Sequence, residues 1–186
     1  MKKFTCVLAV STLAIAAPAF AQSETSSESF TISAEVPEVC AMADINDVDL
    51  GELEINRNSG SEALSLVSNA TGSTNDFWLS CNDATTLTLR SANQGMLNTS
   101  RGAPTGDDAD LFTNKIFYNL RLMNFTDANR SDQPVLRTDR AASASVPGTE
   151  IHREVTASVT ILRADNPLLL LAGEYEDTAT VEITTL

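Results

Sequence analysis

Few residues of this chain have the types and spacing that catalysis requires. His152 is the single histidine, and it stands beside Arg153 and Glu154 in a run that alternates apolar and polar residues. A lone histidine on the polar side of a strand lacks a positioned proton-transfer partner, so we expect it to be solvated. The sequence has no Gly-x-Ser-x-Gly elbow, HExxH motif or phosphate loop. We therefore predict no catalytic site, no resident metal and no cofactor, and we do not expect an enzyme.

An acidic stretch, Gly106-Asp-Asp-Ala-Asp110, carries carboxylates of the kind that bind Ca²⁺. Its spacing does not match a calcium-binding loop of the EF-hand type, because the distal glutamate is missing. A solvated acidic loop is the favoured interpretation, with a calcium site as the alternative.

The N-terminus has the pattern of a secretory signal. Lys2 and Lys3 precede an apolar run over residues 4–17, and Ala19-Phe20-Ala21 forms a small-x-small cleavage site before Gln22. The run is too short for a membrane span, although a retained anchor is the alternative. We expect residues 1–21 to be removed and the protein to be secreted. No later stretch is long and apolar enough to predict an integral membrane span.

Two cysteines remain once Cys6 leaves with the signal. Cys40 and Cys81 would then be two thiols in an oxidising compartment, which predicts one intramolecular disulfide. A metal site built on the same two thiols is the alternative. It lacks further ligands, since there is one histidine and no CxxC spacing.

The charge of the chain is strongly negative. The full sequence has a net charge of −13, and removal of Lys2 and Lys3 leaves 10 basic against 25 acidic residues, or −15. Such a surface repels phosphate backbones and anionic lipids. We therefore expect neither nucleic acid nor a membrane surface as a partner.

Strand patterns cover most of the remaining sequence. The clearest is residues 171–186, where a turn at Gly173 precedes Tyr175, Ala179, Val181 and Ile183 on one face. Residues 29–36 alternate in the same way. Further strands are predicted at residues 45–55, 77–81, 87–89, 116–122, 135–136 and 151–161, with Trp78 expected in the core. Many short strands separated by turns, without a long helix, predict an all-β antiparallel sandwich.

The last stretch resembles the C-terminal signature of the spore coat protein U domain family, which includes subunits of archaic chaperone–usher pili. The matching residues are Gly173, Tyr175, Asp177, Thr178 and Val181. Weaker similarity extends to Leu50-Gly51, the cysteine strand at residues 77–81, Leu87-Thr-Leu89 and Tyr118-Asn-Leu-Arg-Leu122. The chain departs from the family at Met123-Asn-Phe-Thr-Asp127, where family members often carry Tyr and Asp.

The resemblance implies an immunoglobulin-like sandwich that lacks its final strand, over residues 38–186. Residues 22–37 would form an N-terminal extension that donates a strand to the groove of a like subunit in a fibre. A periplasmic chaperone would lend a strand before an outer-membrane usher exchanges it, so secretion would pass through the periplasm to the cell surface. The implied donor residues are Phe30, Ile32, Ala34 and Val36. The implied groove and final-strand residues are Gly173, Tyr175, Asp177, Ala179, Val181 and Ile183.

Three alternatives stay open at this point. In the first, residues 29–36 are the first strand of their own domain instead of a donor. In the second, the protein is a secreted coat or matrix protein that associates without an usher. In the third, it is a self-contained surface- or carbohydrate-binding sandwich, which would carry an exposed aromatic patch.

Overall fold

A computed structural model describes residues 26–126 and 133–186. The predicted signal peptide, residues 1–21, lies outside the described residues. The described chain divides into two units between Glu35 and Val36. In the first unit, residues 26–35 form no strand, and the side chains of Phe30 and Ile32 are 84% and 83% exposed. The strand predicted at residues 29–36 is therefore not formed in the single chain.

The second unit is all-β, as the sequence predicts. Among the described residues, two short 3-10 helices, Ala109–Leu111 and Arg163–Asp165, interrupt the strands. The strands in chain order are β1 (Cys40–Met42), β2 (Ala70–Ser73), β3 (Phe77–Cys81), β4 (Thr85–Ser91), β5 (Met96–Asn98), β6 (Phe112–Thr113), β7 (Lys115–Ile116), β8 (Asn119–Met123), β9 (Val135–Arg137), β10 (Ser143–Gly148), β11 (Ile151–Ile161), β12 (Leu169–Leu170), β13 (Tyr175–Glu176) and β14 (Ala179–Thr185).

The largest sheet is built around the long strand β11. Its strand order is β1-β3-β11-β8-β9, and β2 pairs with the same edge of β11 as β3 does. All of these pairings are antiparallel. Strand β11 buries Ile151, Val155, Ala157 and Ile161 on one face, which is the period of two expected for a sheet with one face in the core.

A second antiparallel sheet has the order β10-β4-β14. Its central strand β4 buries Leu87 and Leu89 completely. Strand β14 runs along β4 from Ala179 opposite Ser91 to Thr185 opposite Thr85. Two smaller sheets are β13-β5-β7 and the parallel pair β12-β6.

The core lies between the inward faces of the two larger sheets. Completely or almost completely buried side chains come from both of them, which is the arrangement of a β-sandwich. They include Phe77, Leu79, Leu87, Leu89, Leu120, Leu122, Leu136, Val155 and Ile161. The predicted antiparallel sandwich is thus confirmed.

Several local predictions need correction. Residues 171–186 form two strands, β13 and β14, because the chain pairs with β5 at Tyr175–Glu176, leaves it at Asp177 and pairs with β4 from Ala179 onwards. Residues 43–54 form no strand, and only Ile55 makes an isolated bridge, to Leu66. Trp78 is 46% exposed and lies outside the core, because Phe77 and Leu79 occupy the inward positions of β3. Strands β2 and β10 were not predicted; β10 contains Pro147, which an edge strand tolerates.

The predicted disulfide between Cys40 and Cys81 is confirmed. The two cysteines are direct cross-strand partners on β1 and β3, with a Cα–Cα distance of 4.2 Å and a sequence separation of 41 residues. Because β1 is three residues long, the disulfide is a principal attachment of this strand to the sheet.

Replacing both Cys40 and Cys81 by Ser should lower the free energy of unfolding by about 4 kcal/mol, because the unfolded chain regains the entropy of a loop of this length. Chemical denaturation of the oxidised protein and of the double variant measures the difference. The variant should also become insensitive to reductant. Equal stability of the two proteins would contradict the prediction.

Candidate strand-accepting groove

A cavity of about 230 Å³, lined by both apolar and polar residues, opens between the start of β14 and the irregular segment of residues 45–50. We call this cavity the groove. Its floor is made by Leu120, Ala157 and Val159 of the large sheet, together with Met96 of β5 and Tyr118, the residue before β8. Leu120 and Val159 are direct partners on β8 and β11. The groove is therefore a part of the sandwich interior that the described residues leave open.

One wall of the groove is the free edge of β14. Among the described residues this strand pairs with β4 alone, so the backbone groups on its other side have no ladder partner. Ala179 and Val181 line the groove from this wall. Ala179 is exposed although it lies on the inward face of the strand, because the neighbouring position is open.

The opposite wall consists of residues 45–50. Asn46 and Asn75 fix it, since each backbone N–H donates to the other residue's Oδ1, at 3.1 and 2.5 Å. Val48 and Leu50 pack over Gly72 of β2, where an added Cβ would lie 2.7 Å from Val48 Cγ1. The wall thus packs against β2 while forming no strand of its own.

The wall ends at Gly51, which adopts a left-handed φ of 65°. The Asp49 side chain accepts the Gly51 N–H at 2.8 Å. A left-handed residue breaks the extended conformation, and glycine adopts it without steric cost. This explains why the predicted strand at residues 45–55 does not form as one element.

A partly buried polar network closes one end of the groove. The Asp177 carboxylate accepts hydrogen bonds from the hydroxyls of Ser91 and Tyr118, the latter at 2.7 Å, and from the Asn93 backbone N–H at 3.0 Å. Ser91 Oγ in turn accepts the Gly95 N–H at 3.0 Å. Asp177 therefore connects the junction of β13 and β14 to the turn after β4 and to the residue before β8.

Tyr118 is the titratable group most affected by this environment. Burial raises the pKa of its phenol well above the usual range, and the neighbouring Asp177 carboxylate raises the pKa further, since a second negative charge there is unfavourable. The Ser91 hydroxyl acts in the opposite direction and lowers this pKa. The phenol thus stays neutral and able to donate to Asp177.

The structure brings together half of the predicted groove residues. Asp177, Ala179 and Val181 line the groove. Ile183 is half-buried further along β14, and Tyr175 on β13 donates its hydroxyl to the Leu171 carbonyl at 2.6 Å. Gly173 forms the predicted turn with a φ of 147°, and an added Cβ there would lie 2.5 Å from Asn98 Nδ2.

Sequence reasoning missed the floor and the second wall of the groove. The floor residues Leu120 and Val159 lie in strands that the sequence predicts, at residues 116–122 and 151–161, but the alternation of these strands gives no sign that the two side chains face an opening. The sequence offers one indication of the groove, the size of the side chain at residue 157. Ala157 is small and stands among branched side chains on one face of β11, so it leaves space in the groove.

Outside the groove, His152 and Trp78 form an exposed pair on the outer face of the large sheet. Their ring centroids are 4.8 Å apart, and His152 Nδ1 lies 2.8 Å from Ser80 Oγ. Within residues 26–126 and 133–186, no cluster of three or more His, Cys, Asp or Glu side chains has the geometry of a metal site. No helix in the same part of the chain is long and apolar enough to cross a bilayer.

Comparison of the chain with protein-family models, curated proteins and solved structures finds no match.

Tyr118→Phe should lower the free energy of unfolding by about 1.5 kcal/mol near neutral pH, because one hydrogen bond to a carboxylate is lost. The folded-state pKa of Tyr118 lies above the unfolded value of about 10, so the stability due to this phenol is fully present below about pH 10. It is lost as the pH rises through the folded-state pKa. The variant should therefore lose less stability than the wild type above pH 10. Urea denaturation at pH values from neutral to about 11 tests this, and parallel curves for the two proteins would contradict it.

Proposed function

We propose that this protein is a structural subunit of a secreted surface fibre, assembled when one subunit donates a β-strand to the groove of the next. The observation that carries the proposal is the groove itself. An apolar floor lies between two stretches of backbone, β14 and residues 45–50, and neither has a ladder partner on the groove side among the described residues. An inserted strand would bury the floor and pair with the edge of β14.

The proposed donor is the N-terminal segment, residues 29–36. Its side chains at Phe30, Ile32, Ala34 and Val36 are all exposed in the single chain. In an extended strand these alternate positions point to one side, as insertion over an apolar floor requires. Each large side chain would contribute about 1.5–3 kcal/mol when fully buried. A strand without ladder partners is marginal in water, which accounts for its absence from the single chain.

The assembly route follows from the resemblance to the spore coat protein U domain family. A periplasmic chaperone would lend a strand to the groove, and an outer-membrane usher would exchange it for the extension of a like subunit. The disulfide between Cys40 and Cys81 agrees with passage through an oxidising compartment. Residues 22–37 then serve as the donor extension and residues 38–186 as the acceptor domain.

One observation favours a second candidate function, a self-contained surface- or carbohydrate-binding sandwich. Trp78 exposes an aromatic ring beside His152 on the outer face of the large sheet, as a binding module would. Under this alternative the purified protein stays a monomer, and Trp78→Ala abolishes glycan binding. Under the fibre proposal Trp78→Ala leaves assembly intact.

Ile32→Asn should abolish fibre formation, because it replaces a branched apolar side chain by an amide that has no partner over the apolar floor. We expect donation to weaken by about 3 kcal/mol or more. Ser33→Asn is the matched control, since residue 33 points to the opposite side of the strand. Unheated gels and electron microscopy of secreted material measure assembly. Equal loss in both variants would contradict the donor assignment.

Deletion of residues 22–36 should leave an acceptor domain that folds when co-expressed with its periplasmic chaperone but does not polymerise. Residues 26–36, the described part of the deleted segment, contribute no strand to the sandwich. Size-exclusion chromatography of the chaperone complex and unheated gels report the two properties separately. A truncated protein that fails to fold with its chaperone would show that the segment belongs to its own domain.

A further inference from the structure

The charges near the proposed acceptor and donor have the same sign. Every charged residue from Gln22 to Asn56 is acidic, and the first base after the predicted cleavage site is Arg57. This stretch contains both the donor segment and the wall of residues 45–50. The acids are Glu24, Glu28, Glu35, Glu38, Asp44, Asp47, Asp49, Glu52 and Glu54.

The wall carries acids that no base neutralises within the described residues. Asp47 lines the groove, and Asp44 and Asp49 flank it in sequence. None of these three forms an ion pair with another described residue. Asp49 makes a hydrogen bond to the Gly51 N–H, which leaves its charge in place. The wall therefore presents a net negative edge to whatever enters the groove.

The other side of the groove does not offset this charge. On β14, Glu182 pairs with Arg90 at 3.5 Å, so the two charges cancel. Asp177 adds a further carboxylate at the end of the groove. The nearby Lys115 donates its Nζ to the Asn93 carbonyl at 3.0 Å and is not among the groove-lining residues.

The donor segment brings its own negative charge to this edge. Glu35 is the one charged residue between Ser29 and Pro37, and Glu28 and Glu38 flank the segment. In the donor strand Glu35 would point away from the floor, as residue 33 does. Neighbouring strands lie about 4.8 Å apart, so its carboxylate would stand beside the outward rim of the wall. Like charges on adjacent strands are destabilising. Their repulsion is screened at high salt, where the Debye length falls to about 3 Å at 1 M.

We propose that the groove selects donor strands by charge, so that donation between copies of this chain is slow at low ionic strength and is activated by salt. The same groove takes a strand with a basic residue at the place of Glu35 more tightly than its own. This inference rests on the proposed function, because it concerns the occupant of the same groove.

The test uses the secreted full chain carrying Ile32→Asn, whose own segment does not donate. It is titrated with three labelled synthetic peptides of residues 29–37: the native sequence, Glu35→Gln and Glu35→Lys. Fluorescence anisotropy gives Kd and association rate at about 20 mM and about 500 mM NaCl, conditions that differ strongly in screening. At low salt the affinity should rise about threefold at each step from Glu to Gln to Lys. At high salt the three peptides should agree within about twofold.

Two acceptor variants locate the source of the effect. Asp47→Asn combined with Asp49→Asn removes two wall charges, and the amide introduced at position 49 still offers an oxygen to accept the Gly51 N–H. In this variant the three peptides should differ much less in affinity at low salt. Asp107→Asn combined with Asp108→Asn changes the net charge equally at residues that do not line the groove, and it should keep the ranking.

The outcomes separate the inference from the proposed function. Three peptides that bind equally at both salt concentrations would overturn charge selection and leave strand donation standing. A ranking that persists in the Asp47→Asn/Asp49→Asn variant would also overturn it, because the wall would not be its source. Failure of all three peptides to bind at either salt concentration would overturn both.

Discussion

A β-strand at the edge of an apolar interior has two requirements that its own side chains do not meet. Its outward backbone groups need hydrogen-bond partners, and the apolar side chains beside it need to be covered. Strand β14 is in this position, because β4 pairs with one side of it and the groove lies on the other. An extended chain is the simplest occupant that meets both requirements at once. The fibre function is proposed on the basis of this geometry.

The surrounding contacts keep the groove open. The Asn46–Asn75 exchange and the close packing of Val48 and Leu50 on Gly72 hold the wall against β2 instead of against β14. The disulfide fixes the strand that precedes the wall. Asp177 holds the other side, since it ties the start of β14 to the turn after β4 and to Tyr118. The two walls are thus anchored to different parts of the fold and do not collapse onto each other.

The sandwich was predictable from the sequence because its strands carry one apolar face each. Residues 77–81 place Phe77, Leu79 and Cys81 on one face, and residues 151–161 alternate except at Arg153; these segments form β3 and β11 as expected. The pattern does not choose a face for Trp78, because Phe77, Trp78 and Leu79 are apolar in succession. It also does not show where a regular strand breaks. In residues 171–186 Asp177 stands between Tyr175 and Ala179 on the otherwise apolar face. Its long-range bonds to Ser91, Asn93 and Tyr118, which the alternation does not reveal, lie where the stretch divides into β13 and β14.

The groove was predictable only in part. It exists because β14 and residues 45–50 do not pair with each other, and the pattern within each segment does not show this. Ala179 and Val181 were identified because the last strand has an apolar face and a family resemblance. The wall was not identified, because residues 45–55 alternate loosely and resemble a paired strand. Whether such a segment joins a sheet depends on Gly51, Gly72 and Asn75, and two of these lie outside it in sequence.

An open strand edge also exposes a protein to uncontrolled pairing with any extended chain. Natural sheets reduce this risk with charged residues at the edge, which must be desolvated or brought against like charge when a wrong strand arrives. The acids of residues 44–49 lie where such protection is needed, and the net charge of the chain disfavours close approach of two copies. Protection of this kind does not distinguish a wrong strand from the chain's own acidic segment. Charges that keep the groove free of unwanted strands therefore also impose a condition on the intended donor, and the two effects have one physical origin.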